Sequence, residues 1–331
     1  MSNKTIDFVI TWVDDKDQKW IDKKSQYIQK QPEGFDGAER YRDWNTLKYW
    51  FRGVEKFAPW VNNIYFVSDD QKPEWLNINH PKLRWIKHTD YIPKEYLPTF
   101  NSNTIIWNLN KIKELSENFV LFNDDMFLID DVRPEDFFIN NIPCDHPQLI
   151  PLRNFGSFTH IMINNYSLCK RHFKLKKSFK DNFINWFRAQ RLRVVLGYII
   201  SGRKNISPIL RDWHIHCSYN KATFNELWNC EYDAINNTCL NKIRALDDVS
   251  DWCVRYWQIY SNNFHFKKSI GKYFSTSSLD ESNELLKCLR KQTAKVVCIN
   301  DTEEETNFEE HKRLVNEALE SILPEKSSFE L

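Results

Sequence analysis

Three stretches decide the fold: residues 6–14 read IDFVITWVD, residues 63–70 read NIYFVSDD, and residues 119–125 read FVLFNDD. Each begins as a short run of β-branched and aromatic residues, which is typical of a buried strand. Residues 83–87 form a further short strand pattern, and apolar residues at helical spacing occupy residues 40–57 and 104–115. Strands alternating with helices predict an α/β fold with a largely parallel, Rossmann-like sheet and helices on both faces.

Acidic residues follow each of the three strands. Asp14 follows the first, Asp70 follows the second, and Asp124 and Asp125 follow the third. A single Asp after a strand is usually a turn or capping residue. In open α/β sheets, however, ligands bind beyond the carboxyl ends of the strands. Three acidic groups in succession therefore favour one shared ligand crevice.

The composition excludes several classes of protein. Lys and Arg number 46 against 45 Asp and Glu, so the basic surplus of a nucleic-acid-binding protein is absent and we expect no nucleic-acid partner. The 7 glycines offer no paired spacing of the dinucleotide-binding or P-loop type. The 8 cysteines form no C-x-x-C pair, so buried free thiols are favoured over a zinc site.

The second half of the chain differs in character. Prolines at 143, 147 and 151 mark the predicted break, which divides the chain into residues 1–150 and a mostly helical part, residues 151–331. One continuous domain is the alternative. Basic and aromatic residues interleave over residues 170–193, a pattern that suits either an anionic membrane surface or a solvated basic face. No apolar run reaches the roughly 18 residues of a membrane span, and the first residues lack a signal-peptide pattern. We therefore expect a cytoplasmic protein, peripheral at the inner face of the membrane.

Seven blocks resemble one family. They are residues 6–14 (IDFVITWVD), 40–76 (RYRDWNTLKYWFRGVEKFAPWVNNIYFVSDDQKPEWL), 97–103 (LPTFNSN), 119–128 (FVLFNDDMFL), 216–228 (HCSYNKATFNELW), 243–252 (IRALDDVSDW) and 323–330 (LPEKSSFE). In this order they resemble the Stealth family of sugar-phosphate transferases, which build bacterial capsular and surface polysaccharides and include the animal N-acetylglucosamine-1-phosphotransferase. The resemblance covers nearly the whole chain.

The resemblance implies a reaction. Such enzymes move hexose-1-phosphate from a UDP-hexose to a hydroxyl of a lipid-linked or polysaccharide acceptor, which forms a phosphodiester and releases UMP. A divalent cation, Mg²⁺ or Mn²⁺, assists. The first part of the chain would bind the nucleotide sugar and the metal, and the second would complete the active site and the acceptor surface.

The N-D-D block is the metal-binding candidate. Asp124 and Asp125 supply the hard oxygen ligands that Mg²⁺ prefers, and phosphoryl transfer depends mainly on positioning and charge neutralisation. The family often has a Glu in the preceding helix, where this sequence has Ile106. The identity of a second metal ligand therefore stays open.

Three residues are the catalytic candidates. The family match indicates His214 as the general base, and His216 is its competitor, because two residues apart on an extended segment point the same way. Arg244 matches the Arg before the D-D-V block and would stabilise the transferring phosphoryl group, although an ion pair with Asp247 or Asp248 is the alternative. Asp14 is the next candidate for the base.

Eight further residues match the family blocks as substrate-binding candidates. Arg42 and Asp43 would hold the ribose or diphosphate of the donor. Asn side chains suit sugar hydroxyls because they both donate and accept hydrogen bonds. The remaining candidates are Asn101, Ser102, Asn103, His160, Asn164 and Lys221.

Two other functions compete. Asp15 and Asp17 form a D-x-D tripeptide, the metal motif of nucleotide-sugar glycosyltransferases, which would release UDP instead of UMP. The 13 tryptophans also suit a carbohydrate-binding module without turnover, although large aromatic side chains mostly fill cores.

Overall fold

A computed structural model describes residues 5–28, 42–151, 159–189, 208–276, 279–301 and 307–331. The strands of these ranges are β1 Ile6–Thr11, β2 Ile64–Ser68, β3 Leu83–Lys87, β4 Asn118–Phe122, β5 Met126–Leu128, β6 Phe138–Ile139, β7 Ile142–Asp145, β8 Leu149–Pro151, β9 Pro208–Leu210, β10 Cys217–Asn220, β11 His265–Phe266, β12 Gly271–Ser275 and β13 Val296–Asn300. The helices are α1 Gln18–Ile28, α2 Leu47–Phe57, α3 His88–Tyr91, α4 Ser102–Trp107, α5 Pro134–Phe137, α6 Thr159–His172, α7 Leu175–Asp181, α8 Phe183–Ala189, α9 Lys221–Cys230, α10 Tyr232–Leu240, α11 Trp252–Tyr260, α12 Leu279–Lys291 and α13 Phe308–Ile322.

The main sheet is mixed but mostly parallel. Its strand order is β10-β4-β1-β2-β3, and β1 pairs in parallel with both β2 and β4. β10 adds an antiparallel edge next to β4. The predicted α/β class with parallel strands is confirmed. The second half also contributes strands β9 to β13, so the expectation of a helical half describes only part of it.

Two predicted helices are shorter than their apolar spacing indicates. α2 begins at Leu47 instead of near residue 40, and Asn45 just before it has a φ of 55°, which a right-handed helix does not accept. α4 ends at Trp107 instead of near residue 115. There the side chain of Asn108 donates to the carbonyl of Thr104 at 2.8 Å, in place of the backbone N–H of a continuing helix.

Helices cover both faces of the sheet. Alternate residues of β1 enter two separate hydrophobic clusters, with Phe8 and Ile10 in one and Val9 in the other. The first cluster contains buried residues of α2, α12 and α13, and the second contains those of α4, α9, α10 and α11. Each cluster draws residues from both sides of position 150, so the described parts of the two halves share their core. The division at residue 150 stays a prediction.

A second sheet adjoins the first. β13 pairs in parallel with β12 and antiparallel with β5, which places Cys298 opposite Met126. Only residues 123–125 separate β4 in the main sheet from β5 in the second sheet. The N–H of Ile299 donates to the carbonyl of Asp125 at 2.9 Å and fixes this crossing. The N-D-D block is therefore the short connection between two sheets.

The C-terminal segment is anchored by Arg52 of α2. Its guanidinium donates twice to the carboxylate of Glu330, at 2.8 and 3.0 Å, and once to the carbonyl of Leu323 at 2.9 Å. Both charged side chains are only 6% exposed. A bidentate pair in such a place has fixed geometry and little competition from water.

We expect Arg52→Met to lower the free energy of unfolding by about 2–3 kcal/mol, because the Glu330 carboxylate then loses its hydrogen bonds to the guanidinium but stays shielded from water. Urea denaturation measures the change. Arg313→Met is the matched control, since Arg313 pairs with Glu310 and Glu317 on an exposed face of α13 and should contribute little. Equal losses from both variants would contradict the assignment of Arg52 as the anchor.

Candidate active site

A cleft of about 1410 Å³ opens at the carboxyl ends of β1 and β4. The chain runs from β1 outward to β2 and β3, and then returns to place β4 on the other side of β1. Ligands of open α/β sheets bind where the strand order reverses in this way. Residues 11–14 and 123–125 line the cleft, and so do residues from the ends of β12 and β13.

Asp124 and Asp125 lie in this cleft. Burial raises the pKa of Asp125, and its Oδ1 atom is buried with no hydrogen-bond partner among the described residues. Surrounding protein atoms and the charge of Asp125 raise the pKa of Asp124 to about 7. The side chain of Asp124 is nevertheless exposed to the cleft. Two such carboxylates side by side favour a positively charged ligand.

His214 lies beside these carboxylates. Its Nε2 atom is 3.9 Å from Asp125 Oδ2, and its Nδ1 atom is 3.5 Å from Asp212 Oδ2. Its own backbone has a φ of 47°, and its N–H donates to Asp212 Oδ1 at 3.0 Å. This left-handed turn is an unusual conformation for a histidine and directs the ring into the cleft.

The charge of the ring follows from these neighbours. Burial alone would lower the pKa of His214, but the hydrogen bond and charge of Asp212, with Asp125 and Asp251, outweigh burial and raise it to about 9. Tyr273 and Trp252 contact the ring edge to face, at centroid distances of 5.3 and 6.2 Å. The two aromatic rings therefore hold the imidazole in place, and the neighbouring carboxylates favour its charged form.

His216 has a different environment, so the expectation that the two histidines point the same way is wrong. Its ring packs against Phe137 and Phe122, at centroid distances of 5.0 and 5.8 Å, and burial lowers its pKa to about 4. The left-handed residue at 214 breaks the extended alternation that the expectation assumed. His214 lines the cleft, and His216 does not.

Arg244 and Ser102 meet in the cleft. The Arg244 guanidinium donates to Ser102 Oγ at 2.6 Å, and both residues are part of the lining. The neighbouring Asp248 is fully buried and accepts hydrogen bonds from Asn101, Asn103, Asn241 and the backbone of Ala245. This carboxylate joins the loop of Arg244 to the start of α4.

The structure brings other predicted residues to the cleft as well. Asp14 lines it at the end of β1, and Asp43 and Asn103 line it too. Arg42 also lines it and forms an ion pair with Asp301 at 2.9 Å. Asp15 and Asp17 are not part of the lining, and Asp17 accepts a hydrogen bond from Gln71 at 3.0 Å.

Four predicted binding residues are not part of the lining. Asn101 caps α4 with its side chain, and Asn164 donates to the carbonyls of Leu246 and Asp248. Lys221 donates to the carbonyls of residues 112, 113 and 115. Those three side chains hold loops and helix ends. His160 is the fourth residue outside the lining.

Several residues of the site were missed from the sequence. Asp212, two positions before His214, offers an Asp-x-His spacing that could have been noticed. Asp251 lines the cleft, and burial raises its pKa to about 6. Asp301 follows β13 directly and lines the cleft, as Asp14 does after the end of β1. Cys298 Sγ donates to Asp125 Oδ2 at 3.2 Å, a contact that only strand pairing reveals.

Comparison with known proteins gives consistent matches. Stealth protein conserved regions 1, 2 and 4 match residues 4–31, 40–144 and 287–331. The chain is 43% identical to a Streptococcus pneumoniae capsular polysaccharide phosphotransferase, WcwK, over 98% of each chain. It is 37% identical to the receptor polysaccharide phosphotransferase WefC of Streptococcus gordonii, over 98% of this chain and 99% of the relative. It is 34% identical to the exopolysaccharide phosphotransferase cps2G of Lactiplantibacillus plantarum, over 98% of this chain and 96% of the relative.

A carboxylate-rich cleft at the switch point of an α/β sheet, with full-length relatives of one activity, defines the class of this protein as a phosphotransferase. The chain belongs to the Stealth family. This agrees with the resemblance of the sequence blocks between residues 6 and 330.

We expect NMR titration of the metal-free protein to give His214 a pKa well above 6.5 and His216 a pKa well below it. Because the folded pKa of His214 is raised, its charged ring stabilises the fold below about pH 6.5, and this contribution is lost as pH rises through about 9. Asp212→Asn should lower the pKa of His214 and leave that of His216 unchanged. An unshifted His214 in that variant would refute the role of Asp212.

Proposed function

We propose that this phosphotransferase transfers hexose-1-phosphate from a UDP-hexose to a hydroxyl of a growing surface polysaccharide, free or lipid-linked. A phosphodiester forms, and UMP leaves. One observation carries the proposal: Asp124 and Asp125, His214 and Arg244 line the same cleft, although long stretches of chain separate them. The relatives' names, which specify capsular, receptor and exopolysaccharide phosphotransferases, support it.

The carboxylates fit a divalent cation such as Mg²⁺ or Mn²⁺. Asp125 Oδ1 is a buried, unpartnered oxygen, and burial disfavours the negative charge of both Asp124 and Asp125. Ile106 lines the cleft where the family often has a Glu, and Asp124 is the second carboxylate of the N-D-D block in the same lining. A bound cation would supply neutralisation of the donor diphosphate.

His214 is proposed as the base for the acceptor hydroxyl. Its Nδ1 side is held by Asp212, so the Nε2 atom faces the carboxylates and the cleft. A base must be neutral before it accepts a proton, and Asp125 is one of the carboxylates that keep this ring charged. Neutralising Asp125 would therefore lower the pKa of the ring and increase the fraction of His214 that is neutral and able to accept a proton. Asp14 remains the next candidate.

Arg244 is proposed to hold the transferring phosphoryl oxygens. Its guanidinium is already oriented by Ser102, and a planar fork with several donors suits phosphate oxygens. Arg42 and Asp43 lie farther along the lining, where they would contact the ribose or diphosphate. Ser102 and Asn103 would bind sugar hydroxyls, and the crevice between β1 and β4 would receive the nucleotide as in a Rossmann-like fold.

Incubation with a panel of UDP-hexoses and an acceptor glycan should release UMP in a Mg²⁺-dependent reaction. Asp125→Asn removes one charge and keeps the shape, so it should abolish most of this release while near-ultraviolet circular dichroism stays unchanged. Release of UDP would contradict phosphoryl transfer and favour a glycosyltransferase. Full turnover by Asp125→Asn would contradict the metal assignment.

His214→Ala should lower turnover by about 10²–10⁴-fold, the usual contribution of a positioned base. Donor binding, measured by calorimetry with a UDP-hexose, should change little because the base contacts the acceptor. His216→Ala is the matched control and should keep turnover, provided that thermal unfolding shows an intact fold. Loss of turnover in His216→Ala alone would contradict the role of His214 and indicate His216 as the base.

A membrane contact is proposed for α7 and α8. Phe183, Ile184 and Phe187 are 54%, 64% and 47% exposed, and exposed Lys174, Lys177, Lys180 and Arg188 accompany them. Aromatic residues beside basic ones match the chemistry of an anionic lipid surface. Residues 190–193 of the predicted stretch lie outside the described residues. No described helix has the length and apolarity needed to span a bilayer.

Sedimentation with vesicles containing phosphatidylglycerol should show binding that weakens steeply with salt, since each basic residue near an anionic leaflet contributes about 1 kcal/mol. Lys177→Glu with Lys180→Glu should reduce it by more than tenfold. The matched control is Lys287→Glu with Lys291→Glu on α12, which packs on the other face of the sheet. Equal loss in both double variants, or salt-independent binding, would contradict this surface.

A further inference from the structure

We propose that Asp125, His214 and Cys298 form a binding site for a thiophilic divalent cation of the Zn²⁺ type at the base of the cleft. The relatives' names assign no such site. The proposed reaction uses Asp125 for a Mg²⁺-type cation and the Nε2 atom of His214 as a base, so a thiophilic cation bound to the same two side chains would exclude that reaction while it is present. The binding itself does not rest on the proposed function.

The three ligand atoms are already close together. One carboxylate oxygen of Asp125, a ring nitrogen of His214 and the sulfur of Cys298 all lie within 4.8 Å of one another. Cys298 Sγ is 3.2 Å and His214 Nε2 is 3.9 Å from Asp125 Oδ2. Bonds of about 2.0–2.3 Å in a tetrahedral zinc site place ligand atoms roughly 3.3–3.6 Å apart. Side-chain shifts below about 1 Å would therefore complete the site.

The donor set selects the metal. Mg²⁺ prefers oxygen ligands only, whereas a thiolate and an imidazole favour Zn²⁺ and its close relatives. Oδ2 of Asp125 lies beside the sulfur, and Oδ1 of the same carboxylate is buried without a hydrogen-bond partner among the described residues. On binding, the metal–sulfur bond would replace the S–H bond of Cys298, and that proton would pass to solvent. A charged His214 would lose its Nε2 proton in the same way.

The surroundings hold each ligand in place. Cys298 lies on β13 opposite Met126 of β5, next to the Ile299 N–H that bonds to Asp125. Asp212 faces Nδ1 of His214 and leaves Nε2 for the metal. This carboxylate–histidine–metal order is the one that supports many zinc sites. Three protein ligands and an open fourth position are typical of zinc sites open to solvent or substrate.

Cobalt titration of the full-length, metal-free protein tests the site. Co²⁺ bound to a thiolate in tetrahedral geometry shows a sulfur-to-cobalt charge-transfer band and intense visible bands, and Zn²⁺ should displace it stoichiometrically. Cys298→Ser should remove the charge-transfer band and weaken Co²⁺ binding at least tenfold. Asp212→Asn should weaken it by about 10–100-fold, as the loss of a supporting carboxylate usually does.

Cys217→Ser is the matched control, because Cys217 also lines the cleft but its sulfur faces the carbonyl of Ile215 at 3.8 Å. The Cys217→Ser variant should keep the sulfur-to-cobalt charge-transfer band. Absence of the band in the wild type, or its persistence in Cys298→Ser, would overturn the proposal. If Cys298→Ser does not fold, His214→Ala is the alternative test. Wild-type cobalt affinity in His214→Ala would also overturn the proposed site. UMP release is not measured, so failure here leaves the proposed function standing.

Discussion

The structure depends on the three-residue crossing at positions 123–125, where the chain leaves β4 of the main sheet and enters β5 of the second sheet. The bond from Ile299 N–H to the carbonyl of Asp125 fixes this crossing to β13, which is far away in sequence. The crossing is short and paired on both sides, so its side chains cannot turn away from the cleft. Carboxyl groups with raised pKa values oppose folding at neutral pH, and the packing of the two sheets has to offset that cost.

Residues far apart in sequence complete the cleft around this crossing. The C-terminal part returns to the start of the chain through Arg52 and Glu330, and Lys312 donates to the carbonyl of Asp43 at 2.6 Å. Asp248 joins the loop of Arg244 to α4. These contacts set the distances between groups that we propose to act on one ligand, so they would affect function through position and not through contact with substrate.

Sequence patterns were sufficient for the strands and their acidic ends, because alternation and β-branched composition are local signals. They were not sufficient for residues whose role depends on packing. Asn101, Asn164 and Lys221 are polar and lie in family blocks, yet their side chains bond to the protein itself. The orientation of His214 depends on a left-handed backbone beside Asp212, and no spacing rule separates it from His216. Cys298 meets Asp125 only through the pairing of β13 with β5.

The charge of the cleft argues for a cation in any reaction with a diphosphate. Among the described lining residues, acidic side chains outnumber basic ones. The acidic residues are Asp14, Asp43, Asp69, Glu74, Asp124, Asp125, Asp251 and Asp301, and the basic side chains include Lys16, Arg42, Lys48, Arg244 and His214. Arg42 is already paired with Asp301. A diphosphate entering this field would meet Asp124 and Asp125, where the raised pKa values of both carboxyl groups show that additional negative charge is disfavoured. A cation bound at these two carboxylates would offset their charge and reduce the repulsion of the diphosphate. The same carboxylates would then hold the cation, their influence on His214 would decrease, and Arg244 would contact the phosphoryl oxygens.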